Sequence, residues 1–215
     1  MEIYFIRHGE STANKDKVYQ GWSDVHLSIL GLNQAEKLAK YFEQNNIKFN
    51  TIYSSSLVRA VETAQPLLSC AVNKKLIQKI NLRSINVGKW SGIAIDHVKE
   101  EFKDEYFIWK NKPNKFQFPG GESILDVLAR VKCSLHAILD QEYSSESRIA
   151  IVSHMITIKV LTLWMLNVDL NNIWESKYYI PNTGFIIFKV EKSRNTNQYS
   201  FESIILRNPI PHLDD

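Results

Sequence analysis

Short apolar runs alternate along the chain with longer segments in which apolar residues recur every three or four positions. The runs at residues 3–6 and 149–152 are continuous, as expected for strands that are covered on both faces. Shorter β-rich runs lie at residues 51–53 and 76–80. Helical spacing follows most of these runs, so the pattern predicts an α/β layer fold with a mostly parallel sheet.

Further along the chain the pattern predicts one long helix and an antiparallel edge. The pair Ser123 and Asp126 forms a helix-capping signature. The stripe predicted behind it comprises Ile124, Leu125, Leu128, Val131, Leu135, Ile138 and Leu139. Residues 184–190 and 199–206 read as two strands around a polar turn. We therefore expect a single domain over residues 1–215, with a roof over the sheet at about residues 82–121, where helical pieces mix with aromatic residues.

Composition is that of an ordinary globular chain. The 215 residues are 44% hydrophobic and 23% charged, with 26 Lys and Arg against 23 Asp and Glu. A net charge of +3 without a dense basic run argues against binding to nucleic acid or to an acidic membrane. The chain has no signal peptide at its start and no run able to cross a bilayer, so we expect a cytoplasmic protein. We expect Cys70 and Cys133 to be buried free thiols.

Two arginines and two histidines lie just beyond predicted strand ends. Arg7 and His8 follow the first strand, Arg59 lies shortly after the second, and His154 follows the strand at residues 149–152. A single histidine after a strand is more often a hydrogen-bonded loop residue. Ligands of open α/β sheets bind beyond the carboxyl ends of the strands, however, so the four side chains together predict one pocket.

This set of side chains suits a phosphoryl group. Two guanidinium groups can hold its oxygens, and helix N-termini can add N–H donors. One imidazole can attack phosphorus while the other stabilises the developing charge, and this chemistry requires no metal or other cofactor. The remaining histidines show no spacing typical of metal ligands: His26, His97, His136 and His212.

Six sequence blocks, spread over about residues 3–185, resemble the histidine phosphatase superfamily, in its phosphoglycerate mutase-like branch. They are Arg7-His8-Gly9-Glu10-Ser11 with Asn14, Gln20-Gly21-Trp22, Ser54-Ser55 through Arg59-Ala60, Gly88-Lys89-Trp90, Gly120-Gly121-Glu122-Ser123, and Ser153-His154. The resemblance implies a three-layer α/β/α sandwich and a phosphatase of the kind that acts on α-ribazole phosphate, phosphoserine or related small metabolites.

The resemblance also assigns roles to individual residues. It makes His8 the phosphorylated nucleophile, with Arg7, Arg59 and His154 around the phosphate. Asn14, Gln20 and Gly21 match positions that line the phosphate pocket or the adjoining substrate, and Glu10 is expected to orient its loop.

One position departs from the family pattern. The family places a proton-donating glutamate four residues before the glycine of the Gly-x-Trp block, and here that position is Ser84. A serine hydroxyl is a poor acid near neutral pH. Three outcomes are open: a carboxylate such as Asp24, Asp96 or Glu122 replaces it, a water held by Ser84 relays the proton, or the chain binds phosphorylated ligands without fast turnover.

The leading hypothesis is a phosphomonoesterase that uses a phosphohistidine intermediate. A phosphoglycerate-type mutase is one alternative, although the roof is short for that group. A weakly active or inactive regulatory protein that binds phosphorylated ligands is the other. The expected partner is a small phosphorylated substrate, and a homodimer through Leu161, Leu163, Trp164 and Leu166 competes with simple core packing of these residues.

Overall fold

A six-stranded sheet forms the middle of the molecule. The computed structural model describes residues 1–193, 195–196, 198–205 and 213. Within these ranges the strands are β1 (Glu2–Arg7), β2 (Thr51–Ser55), β3 (Leu76–Lys79), β4 (Arg148–Ser153), β5 (Phe185–Lys192) and β6 (Tyr199–Ile205). Their order in the sheet is β3-β2-β4-β1-β5-β6. The first four strands of this order are parallel to one another, β5 is antiparallel to β1, and β6 is antiparallel to β5. The mostly parallel sheet with an antiparallel edge is confirmed, although Leu206, the predicted end of the last strand, lies outside the described residues.

Helices cover both faces of this sheet. In the described ranges they are α1 (Thr12–Lys15), α2 (Ile29–Gln44), α3 (Val58–Leu67), α4 (Ile95–Glu101), α5 (Lys103–Asn111), α6 (Ile124–Glu142) and α7 (Met155–Met165). Alternate side chains of β1 point to opposite faces: Ile3 and Phe5 pack with α6 and α7, whereas Tyr4 and Ile6 pack with α2 and α3. The chain thus forms three layers, and none of its described helices is long and apolar enough to cross a membrane.

Helix α6 begins where its capping signature predicts, but two residues on it were placed wrongly. Ser123 and Asp126 form a reciprocal capping box. Leu125 is 52% exposed and Cys133 is exposed, whereas Cys70 is buried as predicted. Cys133 lies about 200° around the helix from the buried Val131, which turns it to solvent.

Residues 82–121 combine α4 and α5 with short 3₁₀ helices and a buried aromatic cluster. The ring centroids of Trp90 and Phe118 lie 5.0 Å apart, and those of Trp109 and Phe118 lie 4.9 Å apart. Gly88 has a φ of 50° and lies so close to the Pro119 carbonyl that any Cβ would clash with it. This packing fixes the segment against the core and brings two of the sequence blocks together.

Candidate active site

The parallel strands bring the predicted site residues together at their carboxyl ends. Arg7 at the end of β1 is in register with Ser153 of β4, so the next residue of each strand, His8 and His154, lie side by side. Their ring centroids are 5.0 Å apart. A cavity of about 280 Å³ is lined by all eight predicted residues: Arg7, His8, Asn14, Gln20, Gly21, Arg59, Ser84 and His154. Its volume suits a small metabolite.

The hydrogen bond of His8 fixes which ring nitrogen carries the proton. Nδ1 lies 2.7 Å from the carbonyl oxygen of Gly9. Because a carbonyl oxygen only accepts, Nδ1 must be protonated, and in the neutral ring Nε2 keeps its lone pair. The Gly9 N–H donates to Thr63 Oγ1 at 2.9 Å, and Thr63 Oγ1 donates to the Arg59 carbonyl. The loop that orients His8 is therefore tied to α3.

Both arginines are anchored by backbone carbonyls. Arg7 Nη1 donates to the Ile180 carbonyl at 2.7 Å, and Arg59 donates through Nη1 and Nη2 to the carbonyls of Ser23 and Gly21, both at 2.8 Å. Within the described residues neither forms a salt bridge, and neither Nε has a hydrogen-bond partner. Burial lowers the pKa of both groups, to about 10 for Arg59. An arginine guanidinium keeps its charge at neutral pH, so both remain cations.

Both histidines are neutral in this environment. Burial, followed by the positive charges of Arg59 and Arg7, lowers the pKa of His8 well below its ordinary value. Burial, followed by Arg59 and His8, does the same to the pKa of His154. His154 Nε2 lies 2.8 Å from Ser55 Oγ, and its Nδ1 has no partner among the described residues. Two cationic side chains thus surround two uncharged imidazoles.

The loop after β1 positions the polar residues beside His8. Ser11 Oγ lies 3.0 Å from Asn14 Oδ1 and 2.8 Å from Gln20 Oε1, and its single proton can be donated to one of these oxygens at a time. These contacts occupy the amide oxygens and direct the NH2 groups away from Ser11. Glu10 accepts from the Ser28 hydroxyl at 2.7 Å, so its carboxylate orients the loop, as expected.

Helix N-termini offer fewer free N–H donors to the site than the sequence suggested. The first N–H of α3, at Val58, already donates to Asp24 Oδ1 at 2.7 Å. Helix α7 differs, because it begins immediately after His154, and its residues Met155 and Ile156 line the cavity. The positive end of that helix dipole therefore lies at the site.

Ser84 lines the cavity, and within the described residues no Asp or Glu lines it. Each carboxylate considered as a replacement is engaged elsewhere. Asp24 caps α3, Asp96 pairs with Lys99 on the surface, and Glu122 pairs with Arg130 at 2.7 Å. The described part of the cavity thus has cations and neutral groups but no carboxylate acid.

Arg130, which the sequence did not single out, holds the Ser84 segment in place. Its guanidinium donates to the carbonyls of Asn81, Arg83 and Ser84 at 2.8–2.9 Å while it pairs with Glu122. Trp22 Nε1 donates to the same Ser84 carbonyl at 2.7 Å. Only the long-range packing of α6 places Arg130 there, so no local motif marks it.

The sequence analysis did not single out Lys110 and Trp174, which line the cavity. Trp109 also lines the cavity, but it is 2% exposed and therefore mainly packs the roof. The sulfur atom of Met155 lies 3.8 Å from Arg7 Nη1. No group of three or more metal-ligating side chains occurs in the described ranges.

Comparison with known proteins identifies the family. Residues 3–201 match the model of the histidine phosphatase superfamily, branch 1. The chain is 30% identical over 195 residues to phosphoserine phosphatase 1 of Hydrogenobacter thermophilus, covering 91% of this chain and 89% of that protein. It is 33% identical over 132 residues to a 2,3-bisphosphoglycerate-dependent phosphoglycerate mutase of Bartonella henselae, covering 60% and 64%.

A solved structure supports the same family. A phosphoserine phosphatase mutant of Entamoeba histolytica, in complex with phosphoserine, superimposes with a TM-score of 0.79 at 25% identity, covering 99% of this chain and 98% of that one. The chain belongs to the histidine phosphatase superfamily, branch 1. It is a phosphatase that acts on phosphomonoesters of small metabolites, as the sequence predicts.

Proposed function

We propose that the chain hydrolyses phosphomonoesters through a phosphohistidine at His8. The contact between His8 Nδ1 and the Gly9 carbonyl carries this proposal, because it leaves Nε2 unprotonated beside two guanidinium groups. In the first step the Nε2 lone pair attacks phosphorus, the ester P–O bond breaks, and the leaving oxygen takes a proton. In the second step water attacks phosphorus, the electron pair of the broken P–N bond returns to Nε2, and phosphate leaves while a proton of the attacking water passes to solvent.

The other polar residues stabilise the transferring group in this proposal. Arg7 and Arg59 hold the phosphoryl oxygens through the guanidinium hydrogens that their backbone anchors leave free. His154, with the Ser55 hydroxyl on its Nε2, donates from Nδ1 to a phosphoryl oxygen. The NH2 groups of Asn14 and Gln20 and the backbone of Gly21 complete the pocket.

Proton transfer to the leaving oxygen is the weak step. Ser84 occupies the donor position, and general acid catalysis contributes about 10²–10⁴ in rate where it operates. We propose that a water held at Ser84 relays the proton at reduced efficiency. Aryl phosphates, whose leaving groups need little protonation, are then much better substrates than alkyl phosphates. A chain that binds phosphorylated ligands with little turnover is the second candidate, and the lack of a carboxylate among the described lining residues supports it.

The test is phosphate release from matched aryl and alkyl monoesters by the wild-type chain, His8→Ala and His97→Ala. His97 is a surface histidine paired with Glu101, so it serves as a matched control. We expect release to vanish in His8→Ala only, with aryl esters far ahead. Equal release by His8→Ala and wild type would refute the mechanism. A phosphoglycerate isomer that is isomerised without phosphate release would instead identify a mutase.

Some expectations remain predictions. We propose a single domain over residues 1–215 whose segment 82–121 roofs the site, a cytoplasmic location, and no nucleic-acid partner. The expected homodimer has less support than before, because Leu161 and Leu163, two of the four residues expected at its interface, are buried in the core. Analytical ultracentrifugation of the full chain would determine the oligomeric state.

A further inference from the structure

One of the three methionines of the chain lies in the active-site cavity. Met155 is the first residue of α7, directly after His154, and its side chain lines the cavity. It is half-buried, whereas Met1 and Met165 are at most 9% exposed and do not line the cavity. A small reagent that enters the cavity therefore reaches the sulfur of Met155 more readily than the sulfur of either other methionine.

The sulfur of Met155 lies against an arginine that we propose to hold the phosphoryl group. It is 3.8 Å from Arg7 Nη1, and the same nitrogen donates to the Ile180 carbonyl at 2.7 Å. A thioether sulfur is a weak hydrogen-bond acceptor. A phosphoryl oxygen can therefore take the Arg7 hydrogen that faces this sulfur at little cost.

Oxidation would change the character of this contact. A peroxide transfers one oxygen to the methionine sulfur: an S–O bond forms, the O–O bond breaks, the sulfur loses two electrons, and hydrogen peroxide is reduced to water. The product is a polar sulfoxide, whose oxygen is a far better acceptor than the thioether. The change is reversible, because two thiols reduce the sulfoxide to the thioether and leave a disulfide and water.

We infer that Met155 is a site of reversible oxidative modification, at which the sulfoxide oxygen takes the Arg7 hydrogen otherwise offered to a phosphoryl oxygen. Oxidation by a peroxide thus weakens the binding of phosphate esters until a reductase restores the thioether. This inference rests on the proposed function, because that function assigns Arg7 to the phosphoryl group.

The two cysteines offer a peroxide less direct access to the site. Cys133 is exposed, but it does not line the cavity. Cys70 is buried, and its burial raises the pKa of the thiol, so little of the reactive thiolate is present. The Cys133→Ser variant therefore serves as the background in which the oxidation of Met155 is tested.

Peroxide treatment of matched variants tests the inference. The background protein, Met155→Leu and Met165→Leu, all with Cys133→Ser, are treated with hydrogen peroxide, and peptide mass spectrometry locates the added oxygen. Each protein is compared with its own untreated sample by kcat/KM for an aryl phosphate and by calorimetric binding of inorganic phosphate. Met165 is the matched control, because it lies on the same helix but is buried. Met155→Gln places an amide oxygen at this position without any oxidant.

We expect oxygen to be added first at Met155. Both kcat/KM and the affinity for phosphate should then fall about 10-fold, because a charge-assisted hydrogen bond is lost. Methionine sulfoxide reductase with a thiol reductant should restore both values. Met165→Leu should respond like the background protein, Met155→Leu should keep its untreated values, and Met155→Gln should bind phosphate weakly before any treatment.

Two results would overturn the inference: an equal loss in Met155→Leu, or unchanged phosphate binding in a background protein whose Met155 is fully oxidised. Phosphate release by the untreated background no higher than in His8→Ala would instead refute the proposed function. The calorimetric comparison of oxidised and reduced protein would still decide the role of Met155 in that case, because it needs no turnover.

Discussion

At the scale of single residues, burial and neighbouring charge act together on His8. A histidine in water is half protonated near pH 6.5, and its protonated form cannot attack phosphorus. Burial and the two guanidinium groups disfavour that form, while Gly9 fixes the proton of the neutral ring on Nδ1. The arginines that we propose to hold the phosphate thus also keep the proposed nucleophile unprotonated.

The His8 ring should titrate below pH 6.5 in the ligand-free protein. Its pKa is lowered, so as pH falls the ring stays neutral after an ordinary histidine has become charged. NMR titration of ring-labelled histidine measures this, with His8→Gln to assign the signal. A His8 signal that titrates at or above pH 6.5 would contradict the electrostatic account of the site.

Replacing Ser84 with Glu should restore acid catalysis. The backbone at Ser84 is held by Arg130 and Trp22, so a longer side chain there starts from a fixed position beside the cavity. We expect alkyl phosphate turnover to rise by about 10²-fold or more and aryl turnover to change little. Steady-state kinetics with both ester types, and Ser84→Gln as the uncharged control, measure the effect. No gain on alkyl esters would mean that this position is not the donor site.

At the scale of elements, α6 stabilises the site through one arginine, Arg130. Arg130 joins Glu122 to three carbonyls of the segment that carries Ser84, and both charged side chains are mostly buried, at 14% and 16% exposure. The Asn86 N–H also donates to Glu122 Oε2, at 2.8 Å. The geometry of the segment that carries Ser84 therefore depends on a helix far away in sequence.

Arg130→Met should lower both stability and activity. The substitution leaves Glu122 buried without its partner, and breaking a buried pair costs about 3–5 kcal/mol. Urea unfolding gives the free energy of unfolding, and kcat gives the effect on the site. Lys99→Met, which breaks the exposed pair with Asp96, serves as the control and should change neither value much. An unchanged unfolding free energy in Arg130→Met would contradict the role assigned to the pair.

The elements also explain what the sequence predicted and what it missed. His8 and His154 were predictable because residues that follow neighbouring parallel strands must lie together. Cys133 was placed wrongly because an apolar stretch was read without its helical phase. Arg130, Lys110 and Trp174 could not be predicted, because each reaches the site through tertiary packing of a segment that carries no local motif.

At the scale of the whole molecule, the sheet concentrates buried polar groups at one end. Arg7, His8, Arg59 and His154 are all at most 7% exposed, which is unusual for charged or titratable side chains. Such burial costs free energy that the apolar cores on both faces of the sheet must offset. The buried polar groups of the site therefore lower the stability of the folded protein.

The stability of the whole protein should therefore fall in mild acid. The folded state keeps His8 and His154 neutral, while the unfolded chain takes up protons below pH 6.5, so lowering the pH favours unfolding. Each histidine adds at most about 1.4 kcal/mol per pH unit to this loss. Urea unfolding between pH 7 and pH 5.5 measures the slope. His8→Asn combined with His154→Asn should reduce it, and an identical slope in that variant would contradict the assignment.

Trapping the intermediate tests the central claim most directly. Rapid mixing of the protein with an aryl phosphate that carries a radiolabelled phosphoryl group, followed by quenching in alkali, preserves a phosphohistidine, and peptide mapping locates it. We predict a label on His8 that forms in the first turnover, decays with phosphate release and is absent from His8→Ala. Phosphate release with no label on His8 at any time, or the same label in His8→Ala, would contradict the account.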